Sequence, residues 1–83
     1  MIEYRYEMQL KIDGRDLDAQ EISAYITSAY QGQRLMCAGD EKHISIYYHT
    51  NKPWEILAYC AVLGEIYDIA ICDLIRQSRG LKG

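Results

Sequence analysis

Apolar and polar residues alternate with a period of two over the first dozen positions. Ile2, Tyr4, Tyr6, Met8, Leu10 and Ile12 share one face; Glu3, Arg5, Glu7, Gln9 and Lys11 share the other. That spacing predicts a strand over residues 2–12, one side on a core and one in water. Asp13-Gly14-Arg15-Asp16 then turns the chain. Asp18 with Glu21 three positions later resembles a capping box, and Ile22, Tyr25, Ile26, Ala29 and Tyr30 follow at helical spacing. A helix is expected over 18–31, with Gly32 placed to end it in the left-handed conformation. Two short strands come next, 34–38 and 43–50, joined through Gly39-Asp40-Glu41-Lys42. Setting Leu35 opposite Ile46 and Cys37 opposite Ile44 keeps these four and Tyr48 on the core side. His43, Ser45, Tyr47 and His49 then face outward.

The last third reads two ways. Asn51-Lys52-Pro53 starts a helix, and Ile56 to Leu63 is an unbroken apolar run that ends at Gly64. Continued at 100° per residue to about Gln77, the helix gathers Glu55, Glu65, Asp68, Asp73, Arg76 and Arg79 in one arc. Ile56, Tyr59, Cys60, Leu63, Ile66, Tyr67, Ala70 and Leu74 then line the other side. Read as a strand, 67–75 sets Asp73 on one face with Ile69, Ile71 and Ile75. The favoured expectation is therefore a two-layer α+β fold, β-α-β-β-α, with two helices on one face of an antiparallel sheet and a long C-terminal helix. The alternative is the ferredoxin-like order β-α-β-β-α-β, in which a fourth strand closes the sheet.

Eighty-three residues make one α+β domain spanning 1–83, and a chain of this length buries only about 60–65% of its unfolded surface. Nine basic against twelve acidic side chains give a net charge of −3, which argues against direct nucleic-acid binding. The basic residues near the end, Arg76, Arg79 and Lys82, with an outward Tyr47, are all that would support it. No apolar run approaches the roughly 18 residues of a membrane span. The N-terminus has neither the basic start nor the apolar stretch of a secretion signal, so the cytoplasm is the expected compartment.

Catalytic chemistry is hard to place. The six glycines stand apart at 14, 32, 39, 64, 80 and 83, so no phosphate-cradling loop exists. Cys37, Cys60 and Cys72 form no C-x-x-C pair, and neither a disulfide framework nor a zinc site follows. Cys37 and His43 are expected on opposite sides of the hairpin. His43 and His49 lie ~20 Å apart along a strand, too far to share a metal. No catalytic residue, metal or cofactor is expected, and the chain reads as a non-enzyme.

Two features suggest a partner. Eight Tyr and one Trp stand in a chain without Phe, and Tyr47 should project from the open sheet face between His43 and His49. The helix after Lys52 is apolar all round, leaving Trp54, Leu57, Ala58, Ala61 and Val62 off the stripe that faces the sheet. Such a helix needs burial on a second side, from another molecule or from the first helix packed close through Ala58 and Ala61. The expected partner-binding residues are Trp54, Tyr47, His43, His49, Leu57 and Ala61. An acidic patch of Asp13, Asp16, Asp18 and Glu21 could compete with nucleic acid for a basic groove. The expected role is a small interaction module, an inhibitor or adaptor docking onto another protein and forming a homodimer. Phage or mobile-element anti-defence proteins of the anti-CRISPR kind exemplify such domains. The alternative is a ligand-sensing or minor catalytic domain with a pocket of Tyr and Cys between helices and sheet.

Overall fold

The computed structural model describes residues 1–83 and orders its elements as β1 (Tyr6–Asp13), α1 (Ala19–Ala29), β2 (Gly32–Gly39), β3 (His43–Thr50), α2 (Pro53–Leu63), β4 (Glu65–Asp73) and α3 (Leu74–Ser78). All strand pairs are antiparallel, in the order β2-β3-β1-β4. This is the expected two-layer α+β architecture in its ferredoxin-like form, extended by a short final helix. β1 is central, paired on both sides. Its Met8, Leu10 and Ile12 join Ile44, Ile46 and Tyr48 of β3 to meet Ile22 and Ile26 of α1 and Ile56 and Cys60 of α2 in one buried cluster. Each aliphatic side chain there stabilises the fold by about 1.5–3 kcal/mol through removal from water.

The first strand is shorter than its alternation, because pairing stops before the pattern does. Tyr6 faces Thr50 on one side and Asp73 on the other, and no partner strand extends further. Arg5 instead gives its backbone N–H to Asn51 Oδ1 at 2.7 Å, and its carbonyl accepts from the N–H of Leu74 at 2.8 Å. Asp18 caps α1 as expected, its Oδ1 accepting from the N–H groups of Gln20 and Glu21 at 2.9 and 3.2 Å. Gly32 does not end the helix: Tyr30 is the C-cap, in an extended conformation. Gly32 opens β2, where a Cβ would stand 2.2 Å from Tyr48 Cζ.

The β2–β3 register is shifted by two residues from the expected one, with Cys37 opposite Ile46 and Gly39 opposite Ile44. The turn is tighter than a four-residue loop. Asp40 Oδ1 accepts from the N–H groups of Lys42 and His43, both at 2.9 Å, and Asp40 N–H donates to the His43 carbonyl. Gly39 sits at φ +145°, where a Cβ would collide with that same carbonyl. A bulge between Gln33 and Met36 takes up the extra residue, with Arg34 at φ +58°.

The long C-terminal helix does not form: α2 ends at Leu63 and the chain returns as β4. Gly64 passes so close to the end of β1 that a Cβ would lie 2.3 Å from the Asp13 carbonyl oxygen. Only glycine permits that approach. The carboxylate that argued against a strand is fully engaged. Asp73, 7% exposed, accepts from Arg5 Nε at 2.9 Å on Oδ2, and Arg5 Nη2 stands 2.8 Å from the same oxygen. Its Oδ1 accepts from the N–H groups of Ile75 and Arg76, both at 3.0 Å, capping α3.

The hydrogen bond from Arg5 holds the Asp73 carboxyl below the usual carboxylate range, against the opposing effect of desolvation. A lowered folded pKa adds stability that is present above the unfolded value, about 3.9, and is lost as pH falls through the folded one. Asp73→Asn is therefore expected to unfold more readily than wild type at pH 7, with the gap closing below about pH 4. Denaturant unfolding across that range checks it. A gap that stays constant with pH would mean the ion pair contributes nothing.

Candidate functional site

Ile56, Cys60 and Leu63 recur at i, i+4 and i+7 along α2 and turn toward the core. At 100° per residue, Tyr59 falls on one flank of that stripe, and Leu57, Ala61 and Trp54 fall on the other. Tyr59 identifies which flank is which: its ring stacks on Tyr25 of α1 with centroids 4.4 Å apart, and Tyr30 joins at 6.2 Å. Trp54, Leu57 and Ala61 therefore look away from α1, over β4. Trp54 is 58% exposed and meets Tyr6 edge-on at 6.3 Å; Ala61 is exposed and Leu57 half-buried. Ala58 is also exposed, so α1 does not close over this helix.

β4 extends the same apolar strip. Ile71 pairs with buried Met8, which places it on the helix-covered side, and Ile69 shares its face two residues away. They remain 38% and 46% exposed, because α2 does not reach over the sheet edge. Trp54, Leu57 and Ala61 are the residues expected from sequence. Ile69 and Ile71 are not among them, because a helical reading of this segment scatters them. Their alternation within 67–75 is the signal that marks them.

Tyr47, His43 and His49 lie elsewhere, on the open face of the sheet. Tyr47 does not project freely: its hydroxyl is 2.8 Å from His49 Nε2, which lies 3.8 Å from Glu7 Oε2. Burial, then Glu7, pushes the Tyr47 phenol up. His43 Nδ1 lies 2.7 Å from Asp13 Oδ1, which also accepts from the Tyr67 hydroxyl at 2.9 Å. The acidic patch is thus divided. Asp13 is engaged at the end of the open face, while Asp16, Asp18 and Glu21 rim a groove of ≈ 410 Å³ between the helices, floored by Tyr25 and Tyr59.

The nucleophile chemistry is muted. Burial pushes the Cys60 thiol up to about 12 and raises Cys37, whose Sγ donates to the Ala19 carbonyl at 3.4 Å. No three His, Cys, Asp or Glu side chains are grouped to hold a metal ion. The largest depression, ≈ 580 Å³, lies on the open sheet face between Lys11, Met36, Ala38, Tyr47 and Ala70. The layer between helices and sheet is filled by the core.

An exposed apolar flank beside an unpaired sheet edge, with no assembled catalytic group, is the geometry of a part that contacts something larger. A family model described as the FakA-like middle domain, from the fatty acid kinases, matches residues 3–81. The chain belongs to that family. The match spans every element of this middle domain, from the segment before β1 to the end of α3, so the family extends over the whole fold and both surfaces just described. No curated protein matches the chain. No helix of this middle domain is long and apolar enough to cross a membrane.

The His43–Asp13 pair gives a direct test of the open-face geometry. The Asp13 hydrogen bond raises the His43 pKa, and His43, then Tyr67, lowers that of Asp13. The pair therefore adds stability between the two values. It is lost as pH rises through the raised His43 value or falls through the lowered Asp13 value. An NMR titration is expected to place the His43 midpoint above the ordinary value of about 6.5. Asp13→Asn should bring it back toward that value, and an unchanged midpoint would contradict the contact.

Proposed function

We propose that this chain is a non-catalytic docking module of a FakA-like fatty acid kinase protein. Its contact surface is the strip formed by Trp54, Leu57 and Ala61 of α2 with Ile69 and Ile71 of β4. The observation that carries the reading is the exposure of this strip, five apolar side chains side by side in a domain whose core is otherwise closed. The family supports it, being described as the middle domain of a larger kinase component. Cys60 and Cys37, protonated and buried, and the paired His43 support the non-catalytic part. Nothing in the fold or the family supports a phage or mobile-element inhibitor.

The test uses the purified chain and the domains that flank the middle domain in a FakA-like protein. Trp54→Ala is expected to weaken their association by about tenfold or more, as loss of a large aromatic contact does, while circular dichroism stays that of wild type. No association with wild type, or equal association of wild type and variant, overturns the reading.

A second reading, a ligand-sensing domain, is favoured by the open-face depression. It requires a metabolite that raises the melting temperature of wild type and leaves Tyr47→Ala unmoved.

A further inference from the structure

The free edge of β4 is short and bounded at both ends. At its start, a bulge shifts the register opposite Lys11, and Asp68 there takes φ +50° and lies 3.4 Å from Lys11 Nζ. At its end, the Asp73 N–H donates to the Gly83 carbonyl at 3.4 Å. Gly83 is not part of β1, so the Asp73 N–H points away from β1. In an antiparallel ladder successive residues alternate in the side to which their N–H and C=O point. Ile71 and Ile69 therefore share the outward direction of Asp73, while Cys72 and Ala70 pair toward β1. What remains free is the N–H and C=O of two residues, Ile69 and Ile71, with Ala70 between them.

The other sheet edge differs. The helix side of β2 is closed by α1, which packs on it, and Leu35 and Cys37 are half-buried against the core. On the β4 side, the same layer ends in exposed Ile69, Ile71 and Trp54. Apolar surface and unpaired backbone coincide only here, and such an edge is a template for strand addition.

The geometry points to a second copy of this chain as the occupant, its β4 paired antiparallel to the first across a twofold axis at Ala70. Ile69 then faces Ile71 of the mate and Ile71 faces Ile69, so the four free backbone groups of each protomer find partners in four hydrogen bonds. Ala70 meets itself in a non-hydrogen-bonded pair, where Cα atoms approach to about 4.5 Å and a small side chain fits. The isoleucines bring the two α2 flanks together on one side of a continuous eight-stranded sheet.

Charge selects this direction. Glu65 and Asp68 stand at the start of β4, and Arg76 and Arg79 follow its end. Neither Glu65 nor Arg79 makes an ion pair within the protomer. Antiparallel self-pairing sets each acidic end beside the mate's basic end, whereas parallel pairing would set like against like. The interface is isologous and closes as a dimer.

This inference rests on the α2–β4 strip being a docking surface, and its test separates the two. Sedimentation velocity on the whole chain is compared with Ala70→Lys and Ala70→Glu, both at an exposed position on the open face and checked by circular dichroism. Wild type is expected to be a dimer. Each variant alone should self-associate at least about tenfold more weakly, because two like charges meet at the axis. An equimolar mixture of the two should recover the dimer. Monomeric wild type overturns self-pairing and leaves the docking reading to the Trp54→Ala experiment. Single variants that dimerise like wild type, or a mixture that stays monomeric, overturn pairing through β4.

Discussion

The carboxylate of Asp73 holds three segments of the chain at one point. One oxygen takes the Arg5 guanidinium, which anchors the segment before β1; the other takes two N–H groups that start α3. β4 is thereby pinned at the residue that faces Tyr6, and the whole β1–β4 ladder follows from that register. A slip by one residue would turn Ile66 and Ile71 to the open face. Because β4 is held there, β1 becomes an interior strand, and its Met8, Leu10 and Ile12 can be covered by both helices at once. A lone carboxylate at this depth would be costly. With both its oxygens engaged, it specifies where the strand ends.

Two helices on a four-stranded sheet cover its inner face unevenly. α1 closes the β2 side, and Tyr25, Tyr30 and Tyr59 fill the gap between the helices. α2 has no neighbour beyond it, so its outer flank and the edge strand below remain uncovered together. For a family defined as the middle domain of a larger kinase component, that asymmetry gives the proposed contact a direction: it leaves from β4 rather than from the open sheet face. The open face is polar and internally satisfied. His43, Asp13 and Tyr67 engage one another there, as do Tyr47 and His49.

Much of this is legible in the chain itself. Period-two alternation marks β1 and β3, the Asp18 cap and helical spacing mark α1, and the apolar girth of α2 marks Trp54, Leu57 and Ala61 as surplus to one core. These are local signals, set by side-chain periodicity and by groups within one turn of each other. Residues 66–76 escape a local reading because their deciding contacts are remote. Gly64 is required by a carbonyl at Asp13, and Asp73 is tolerable in a strand only because Arg5, sixty-eight residues earlier, reaches it.

The same division holds for the candidate site. Sequence determined that the domain is α+β, that one helix carries more apolar surface than a single layer can bury, and that His43 and Cys37 face opposite sides. Tertiary structure alone decided that Tyr47 turns to His49 and that Asp13 belongs with His43 rather than with Glu21. It also placed Ile69 and Ile71 beside the α2 flank. The reason is physical: periodicity reports which way a side chain leaves its own element, whereas pairing and exposure depend on which other element stands there.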